Sequence, residues 1–261
     1  MDFTISLQSP HITRYDDLSV RIYQEDSALA IDAARLAHSY LHSLLQKQEL
    51  VRIILATGNS QIQFLEAITN IQELDWSRII FFHLDEYLGI SAEHPGSFRY
   101  YLQHKVAAKI PLREFYYLQG DALQPLEECD RYSKLLQQGS IDLCLLGLGH
   151  NGHLAFNEPT VANFADSWLV KLVKLEDSTR QHQVDGNYFA HWENVPPYAY
   201  TLTIPAICSA KQIFCLVPGE HKAKVVKQTL TNPINVDCPA SILRQQKQAT
   251  LFLDRDSASL L

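Results

Sequence analysis

Two histidines and a glutamate stand close together in a glycine-rich stretch of this 261-residue chain. His150 and His153 follow the apolar residues 141–146, and Glu158 comes shortly after them. Such side chains exchange protons, so together they could act as acid and base on a small molecule. Glycines within residues 147–152 let the backbone turn sharply and approach a ligand closely. A plain structural turn and a metal site are the alternatives, although zinc needs a third protein ligand that HxxH does not supply.

A pair of acids follows a second apolar segment. Residues 78–84 read as a buried strand, and Asp85 and Glu86 come directly after it. Carboxylates at the end of a buried strand are costly to desolvate unless they receive hydrogen bonds or take part in chemistry. Asp85 is therefore a candidate catalytic base, with the capping of a turn as the alternative.

A third strand end carries small polar residues. Residues 51–56 are mostly apolar and lead into the turn TGNS, after which a helical pattern begins. Backbone N–H groups and hydroxyls at the start of a helix attract anions, although Ser and Thr also cap helices that bind nothing. Lys222 lies near the start of another predicted helix, where a cation is disfavoured unless an anion is bound beside it. Both features indicate a phosphate site.

Strand and helix patterns alternate along the whole chain. Apolar strands are predicted at 51–56, 78–84, 141–146 and 212–217, with helices at 26–50 and 126–138 among others. This alternation predicts an α/β fold, a doubly wound, mostly parallel sheet with helices on both faces, formed by one domain spanning residues 1–261. The polar strand ends then meet in one crevice. Residues 177–190 are polar and are expected to form a mobile loop, either a lid or an ordinary excursion.

Composition limits the partners. The chain is 46% hydrophobic and 20% charged, with a formal net charge of −7, so neither nucleic acid nor an anionic membrane is an expected partner. A local anion site stays compatible with this charge. The five cysteines form no CxxC pair, and the N-terminus has no signal-peptide pattern, which together favour a reduced, cytoplasmic protein.

Two motifs give this chain a family resemblance. They are GHNGHLAFNEP at 149–159 and LDEYLG at 84–89, with weaker support from TGNS at 57–60. In these the chain resembles the glucosamine-6-phosphate deaminase (isomerase) family over residues 28–254. The Asn-Glu-Pro ending favours the deaminases over the related 6-phosphogluconolactonases.

The resemblance implies isomerisation and deamination of an amino sugar phosphate, giving fructose 6-phosphate and ammonia, without a metal or organic cofactor. Asp85 would move a proton between sugar carbons 2 and 1, and His153, helped by Glu158, would open the sugar ring. The implied phosphate ligands are Thr57, Gly58, Asn59, Ser60, Lys222 and Arg180. The sugar phosphate is the expected partner, and family members often form homo-oligomers.

Three departures from the family pattern concern function. Asn151 stands where many members carry an aspartate that orients the catalytic histidine, so an aspartate here is expected to raise turnover. The usual phosphate arginine is missing from GNYF at 186–189, which leaves Arg180 as the substitute. Residues 160–170 contain no Lys or Arg, so activation by an N-acetylated sugar phosphate is not expected. Galactosamine 6-phosphate as substrate, a lactonase and a non-catalytic sensor are the alternatives.

Overall fold

The computed structural model describes residues 9–71 and 73–261. Eleven strands are numbered here in chain order: β1 (His11–Tyr15), β2 (Leu18–Tyr23), β3 (Val51–Leu55), β4 (Ile79–His83), β5 (Asp85–Tyr87), β6 (Glu114–Phe115), β7 (Leu143–Leu146), β8 (Val170–Lys174), β9 (Tyr198–Leu202), β10 (Gln212–Val217) and β11 (Ala249–Asp254). Eight of them form the main sheet in the order β1-β2-β11-β10-β7-β3-β4-β6. Only β1 pairs antiparallel in it. The predicted, mostly parallel sheet is confirmed.

Side chains of the central strands alternate between two buried faces. In β4, Ile79 and Phe81 join one apolar core, whereas Ile80 and Phe82 join the other. A strand with apolar neighbours on both sides has no polar face, which explains why these segments are mostly apolar in sequence.

Seven helices surround the sheets: α1 (Asp26–Leu45), α2 (Ile62–Thr69), α3 (Phe98–Leu102), α4 (Pro125–Gln137), α5 (Asp177–Asp185), α6 (Ile204–Cys208) and α7 (Ala223–Thr231). Helices α1, α2 and α3 contribute to the core on one face of the main sheet, and α4, α6 and α7 contribute to the core on the other. Helices on both faces are the predicted arrangement. No helix within the described residues is long and apolar enough to cross a membrane.

A second sheet was not predicted. Strands β5, β9 and β8 form a three-stranded antiparallel sheet with β9 in the middle. Its residues Val170, Tyr200 and Leu202 extend the main core, while Tyr87, Val173 and Ala199 form a smaller one. The chain enters β5 one residue after β4 ends, so this sheet lies next to the carboxyl edge of the main sheet.

The expected mobile loop at residues 177–190 is wrong in its first half. Residues Asp177–Asp185 form helix α5. The helix has little apolar character, but Arg180 anchors it: its guanidinium donates to the carbonyl oxygen of Val195 at 2.8 Å and to that of Trp192 at 3.1 Å. Contacts distant in sequence thus stabilise a segment whose local pattern is that of a loop.

Candidate active site

One cavity of about 920 Å³ opens at the carboxyl ends of the parallel strands. It is lined by residues that follow β3, β4, β7, β10 and β11. Strands β3 and β7 are neighbours, and the helix after β3 lies on one face of the sheet while the chain after β7 continues towards the other. Such a switch point leaves a crevice between the two connections, and ligands of α/β proteins bind there.

Asp85 faces this cavity. It is the first residue of β5 and pairs with Thr201 of β9; its side chain is directed into the cavity, while Glu86 points to the opposite side. Asp85 is 8% exposed, and no hydrogen bond to its carboxylate is found within residues 9–71 and 73–261. Burial, together with the nearby charge of Glu86, raises the pKa of Asp85 well above its usual value. An unpaired carboxylate of this kind is a capable proton acceptor.

Glu86 fixes the backbone of residues 87 and 97–99, on the side of β5 that faces away from Asp85. One carboxylate oxygen accepts from the N–H groups of Tyr87 at 2.9 Å and Phe98 at 3.1 Å. The other accepts from the Ser97 hydroxyl at 2.7 Å and the Arg99 N–H at 2.8 Å. Glu86 is fully buried and caps the start of α3, so it fixes the backbone on both sides of residues 88–96. Paired acids at a strand end therefore have separate tasks.

His153 lies in the cavity with its imidazole fixed by Asn151. The Asn151 side-chain oxygen is 2.7 Å from His153 Nδ1 and also accepts from the His153 N–H at 3.2 Å. Because an amide oxygen only accepts, Nδ1 carries the proton and Nε2 keeps a free lone pair. Burial, followed by the positive fields of His150 and Lys222, lowers the pKa of His153 to about 3. His153 is therefore a neutral base across the physiological range.

Gly149 and two further histidines surround this ring. A Cβ atom at position 149 would collide with the His153 imidazole, so glycine is required there for close packing. The ring of His150 lies 5.7 Å from that of His153 and 5.4 Å from that of His182. In the part of the chain that the structure describes, no group of three or more His, Cys, Asp or Glu residues is arranged to hold a metal ion.

The turn after β3 forms another part of the cavity wall. Thr57, Gly58, Asn59 and Ser60 all line the cavity. Gly58 has a φ of 95°, which favours glycine. The Tyr101 hydroxyl donates to the Gly58 carbonyl at 3.2 Å, and the Ser60 hydroxyl accepts from the buried Gln61 amide at 2.9 Å. The turn is thus held rigidly, with polar groups facing the cavity.

Lys222 brings a positive charge to this wall. It follows β10, lines the cavity and donates from Nζ to the carbonyl oxygen of Leu148 at 2.7 Å. Burial lowers the pKa of Lys222 from its usual value, which indicates that a bound anion would be stabilised by an incompletely solvated cation.

Three predicted site residues do not line the cavity: Asn151, Glu158 and Arg180. Asn151 affects the cavity indirectly, because it orients the imidazole of His153. Glu158 is fully buried, and its carboxylate accepts from the Glu176 N–H at 2.6 Å; burial raises its pKa. The structure does not bring Arg180 to the predicted phosphate site: its guanidinium binds the carbonyls of residues 192 and 195 and lies 3.6 Å from the Trp192 ring centroid.

Sequence reasoning missed the roles of Glu86 and Glu176. The four donors to Glu86 come from residues 87 and 97–99, a spacing that matches no local motif. Glu176 lies 25 residues from Asn151, and its carboxylate accepts a hydrogen bond from the Asn151 side-chain amide. His182 and Tyr188 also line the cavity, and the expectation of a lid over residues 177–190 is the signal that could have found them.

Comparison with known proteins identifies the family of this chain. Residues 24–252 match the model of the family described as glucosamine-6-phosphate isomerases/6-phosphogluconolactonase. A glucosamine-6-phosphate deaminase of Listeria welshimeri is 38% identical over 208 residues, which cover 79% of this chain and 86% of that protein. One of Exiguobacterium sibiricum is 37% identical over 223 residues, covering 83% and 86%.

Solved structures show the same fold. A monomeric glucosamine-6-phosphate deaminase superposes with a TM-score of 0.85 at 30% identity, covering 93% of this chain and 99% of the other. A 6-phosphogluconolactonase of Thermotoga maritima superposes with a TM-score of 0.74 at 18% identity, covering 90% and 98%.

Proposed function

The chain belongs to the family of glucosamine-6-phosphate isomerases and 6-phosphogluconolactonases, and we propose that it converts glucosamine 6-phosphate to fructose 6-phosphate and ammonia. One observation carries the proposal. An unpaired, buried Asp85 carboxylate and a neutral His153 with a free Nε2 line the same cavity. Isomerisation needs both a base at carbon and a proton carrier at the ring oxygen, and this pair supplies them.

His153 would act first, on the closed sugar. Its Nε2 accepts the proton of the hydroxyl at carbon 1, and the resulting imidazolium donates a proton to the ring oxygen as the bond between carbon 1 and that oxygen breaks. Asn151 keeps the Nδ1 proton in place throughout. Glu158 acts on His153 indirectly. Its carboxylate accepts a hydrogen bond from the N–H of Glu176, and the Glu176 side chain contacts Asn151.

Asp85 would act on the open form. It removes the proton from carbon 2 while a second proton passes from the ammonium group at carbon 2 to the carbonyl oxygen at carbon 1, which gives an enaminol. Asp85 then returns the first proton to carbon 1, so the former aldehyde is a hydroxymethyl group and the nitrogen at carbon 2 is part of an iminium. Water adds to this iminium, ammonia leaves, and the ketone remains. The raised pKa of Asp85 suits it to take a weakly acidic proton and to release it again.

The phosphate of the substrate would bind to Thr57, Gly58, Asn59, Ser60 and Lys222. The turn offers backbone N–H groups and hydroxyls, and Lys222 offers charge. Arg180 takes no part in this site. The proposed steps are proton transfers and the addition of water, so we propose that they use no metal or organic cofactor.

The five cysteines are free thiols, which supports the proposal that the protein works in a reducing compartment, the cytoplasm. The proposed partner is the sugar phosphate itself, and association into a homo-oligomer stays a prediction.

Substrate specificity is tested with purified protein and three compounds: glucosamine 6-phosphate, galactosamine 6-phosphate and 6-phosphogluconolactone. The relatives and the solved structure named as deaminases are 30–38% identical to this chain, whereas the structures named as 6-phosphogluconolactonases are 15–20% identical. We therefore expect ammonia and fructose 6-phosphate from the first compound and at most slow turnover of the others. Lactone hydrolysis without release of ammonia would refute the proposal.

A further inference from the structure

The Asn151 amide lies between His153 and a carboxylate. Its oxygen faces His153, at 2.7 Å from Nδ1 and 3.2 Å from the backbone nitrogen. Its nitrogen faces the side chain of Glu176 and donates to Oε2 at 3.4 Å. An asparagine side chain has two ends that can exchange places by rotation, so its neighbours decide which end meets the imidazole.

Glu176 favours one of these orientations. An ionised carboxylate only accepts hydrogen bonds, so the Asn151 NH₂ group is stable beside it and the amide oxygen is not. In the reverse orientation the NH₂ group would face His153 Nδ1, and the imidazole proton would move to Nε2. The base of the proposed ring opening would then be blocked.

Hydrogen bonds fix the position of the Glu176 carboxylate. Although Glu176 is the residue before α5, its side chain does not cap the helix. Instead, Oε1 accepts from the Thr160 hydroxyl at 3.0 Å, and Oε2 accepts from the Ser178 hydroxyl at 3.4 Å. Its N–H binds buried Glu158 at 2.6 Å. A side chain fixed at the backbone and at both oxygens can orient its neighbour with little loss of entropy.

We propose that Glu176 is a positioning residue of the reaction, which holds the Asn151 amide so that His153 keeps its proton on Nδ1 and its lone pair on Nε2. The catalytic part of this inference rests on the proposed function. Where an aspartate at position 151 would place a carboxylate directly against the imidazole, this chain keeps its carboxylate one side chain further away. Asn151 and Glu176 together do what a single carboxylate could do.

The variant Glu176→Gln tests the orientation. Glutamine can pair with either end of the Asn151 amide, so only the His153 N–H still selects the working orientation. We expect ¹⁵N NMR to show the Nδ1–H form of His153 in the parent and a mixture with the Nε2–H form in the variant. We also expect kcat for ammonia release to fall about tenfold, with KM changed less than about twofold.

Asp177→Asn is the matched control, because it removes the same charge from the neighbouring residue, which is exposed. It should leave both the tautomer and kcat as in the parent. An unchanged His153 tautomer in Glu176→Gln would overturn the inference. Because the NMR measurement needs no turnover, it tests the positioning even if glucosamine 6-phosphate is not the substrate, whereas an inactive parent protein would refute the proposed function alone.

Combining Glu176→Gln with Asn151→Asp gives a second test. In Asn151→Asp alone, two carboxylates lie side by side and repel each other. A glutamine at position 176 removes that repulsion, because its amide can donate to the carboxylate introduced at position 151. Glu176→Gln should therefore lower kcat when residue 151 is Asn and raise it when residue 151 is Asp. The same sign of effect in both backgrounds would show that Glu176 has only a structural role.

Discussion

Replacing Glu86 by glutamine should separate the two effects that this residue has on the site. Its carboxylate accepts four hydrogen bonds within a fully buried environment, three of them from backbone N–H groups. Its charge also raises the pKa of Asp85. Glutamine keeps the shape of the side chain but has one oxygen instead of two and no charge, so stability and the ionisation of Asp85 should both change.

The loss of stability follows from the hydrogen bonds. If the amide NH₂ takes the place of Oε2, the Ser97 hydroxyl can turn to accept from it, but the Arg99 N–H loses its acceptor. An unsatisfied buried donor costs about 1–3 kcal/mol, and the remaining bonds lose the contribution of the charge. We expect the free energy of unfolding to fall by about 2–3 kcal/mol, measured by urea denaturation.

Although Glu86→Gln should lower stability, it should raise activity at low pH, because it changes the ionisation of Asp85. Asp85 must be ionised to act as a base, so kcat/KM should rise with pH through its pKa in the free enzyme. His153 does not contribute to this limb near neutrality, because its pKa is about 3. Glu86 raises the pKa of Asp85, so Glu86→Gln should lower it and move the acidic limb to lower pH.

Asp142→Asn provides the control for this experiment. Asp142 is also buried and accepts from the Arg52 N–H at 2.9 Å and Lys211 Nζ at 2.8 Å, but it precedes β7 at the opposite edge of the sheet. It should lower stability without moving the acidic limb. If Glu86→Gln leaves the limb in place, or if both variants move it equally, the assignment of the limb to Asp85 beside Glu86 is refuted.

Three further predictions concern the cavity and its regulation. Gly149→Ala should displace the His153 ring and lower kcat at least tenfold with little change in stability, and unchanged kcat would contradict the packing described here. Lys222→Met should raise KM roughly 10–100-fold with a smaller effect on kcat. Arg180→Ala should change KM less than about threefold but lower the free energy of unfolding by about 2 kcal/mol. The reverse pattern would show that Arg180 is the phosphate ligand. Initial rates should follow a hyperbola that an N-acetylated sugar phosphate leaves unchanged, and sigmoidal kinetics abolished by that ligand would contradict this.

The sequence predicts the main sheet well because its strands are buried on both faces. Residues 51–56 and 212–217 are apolar except for Arg52 and Gln212, and the structure has strands Val51–Leu55 and Gln212–Val217 there. The second sheet could not be predicted in this way. Strand β5 has three residues, two of them acidic, and its formation depends on pairing with β9, which lies more than one hundred residues later.

The candidate site also has parts that the sequence predicts and parts that it does not. Asp85, His153 and the turn at 57–60 are predicted to meet because each follows a parallel strand, and the structure places them, together with Lys222, around one cavity. Helix α5 and the contact between Asn151 and Glu176 depend on side chains that meet only in the folded protein. No periodicity or motif in the sequence indicates such contacts, and the hydrogen bonds of Arg180 to residues 192 and 195 are of the same kind.

In the proposed reaction, Asp85 moves a proton between two carbons of an amino sugar phosphate. The most direct test is ammonia release from glucosamine 6-phosphate by the parent protein and by Asp85→Asn, with binding of the sugar phosphate measured in parallel. We predict that the variant binds the sugar phosphate nearly as tightly but releases ammonia about 10²–10⁴-fold more slowly, as expected for loss of a general base. A variant that releases ammonia at close to the parental rate would contradict the mechanism.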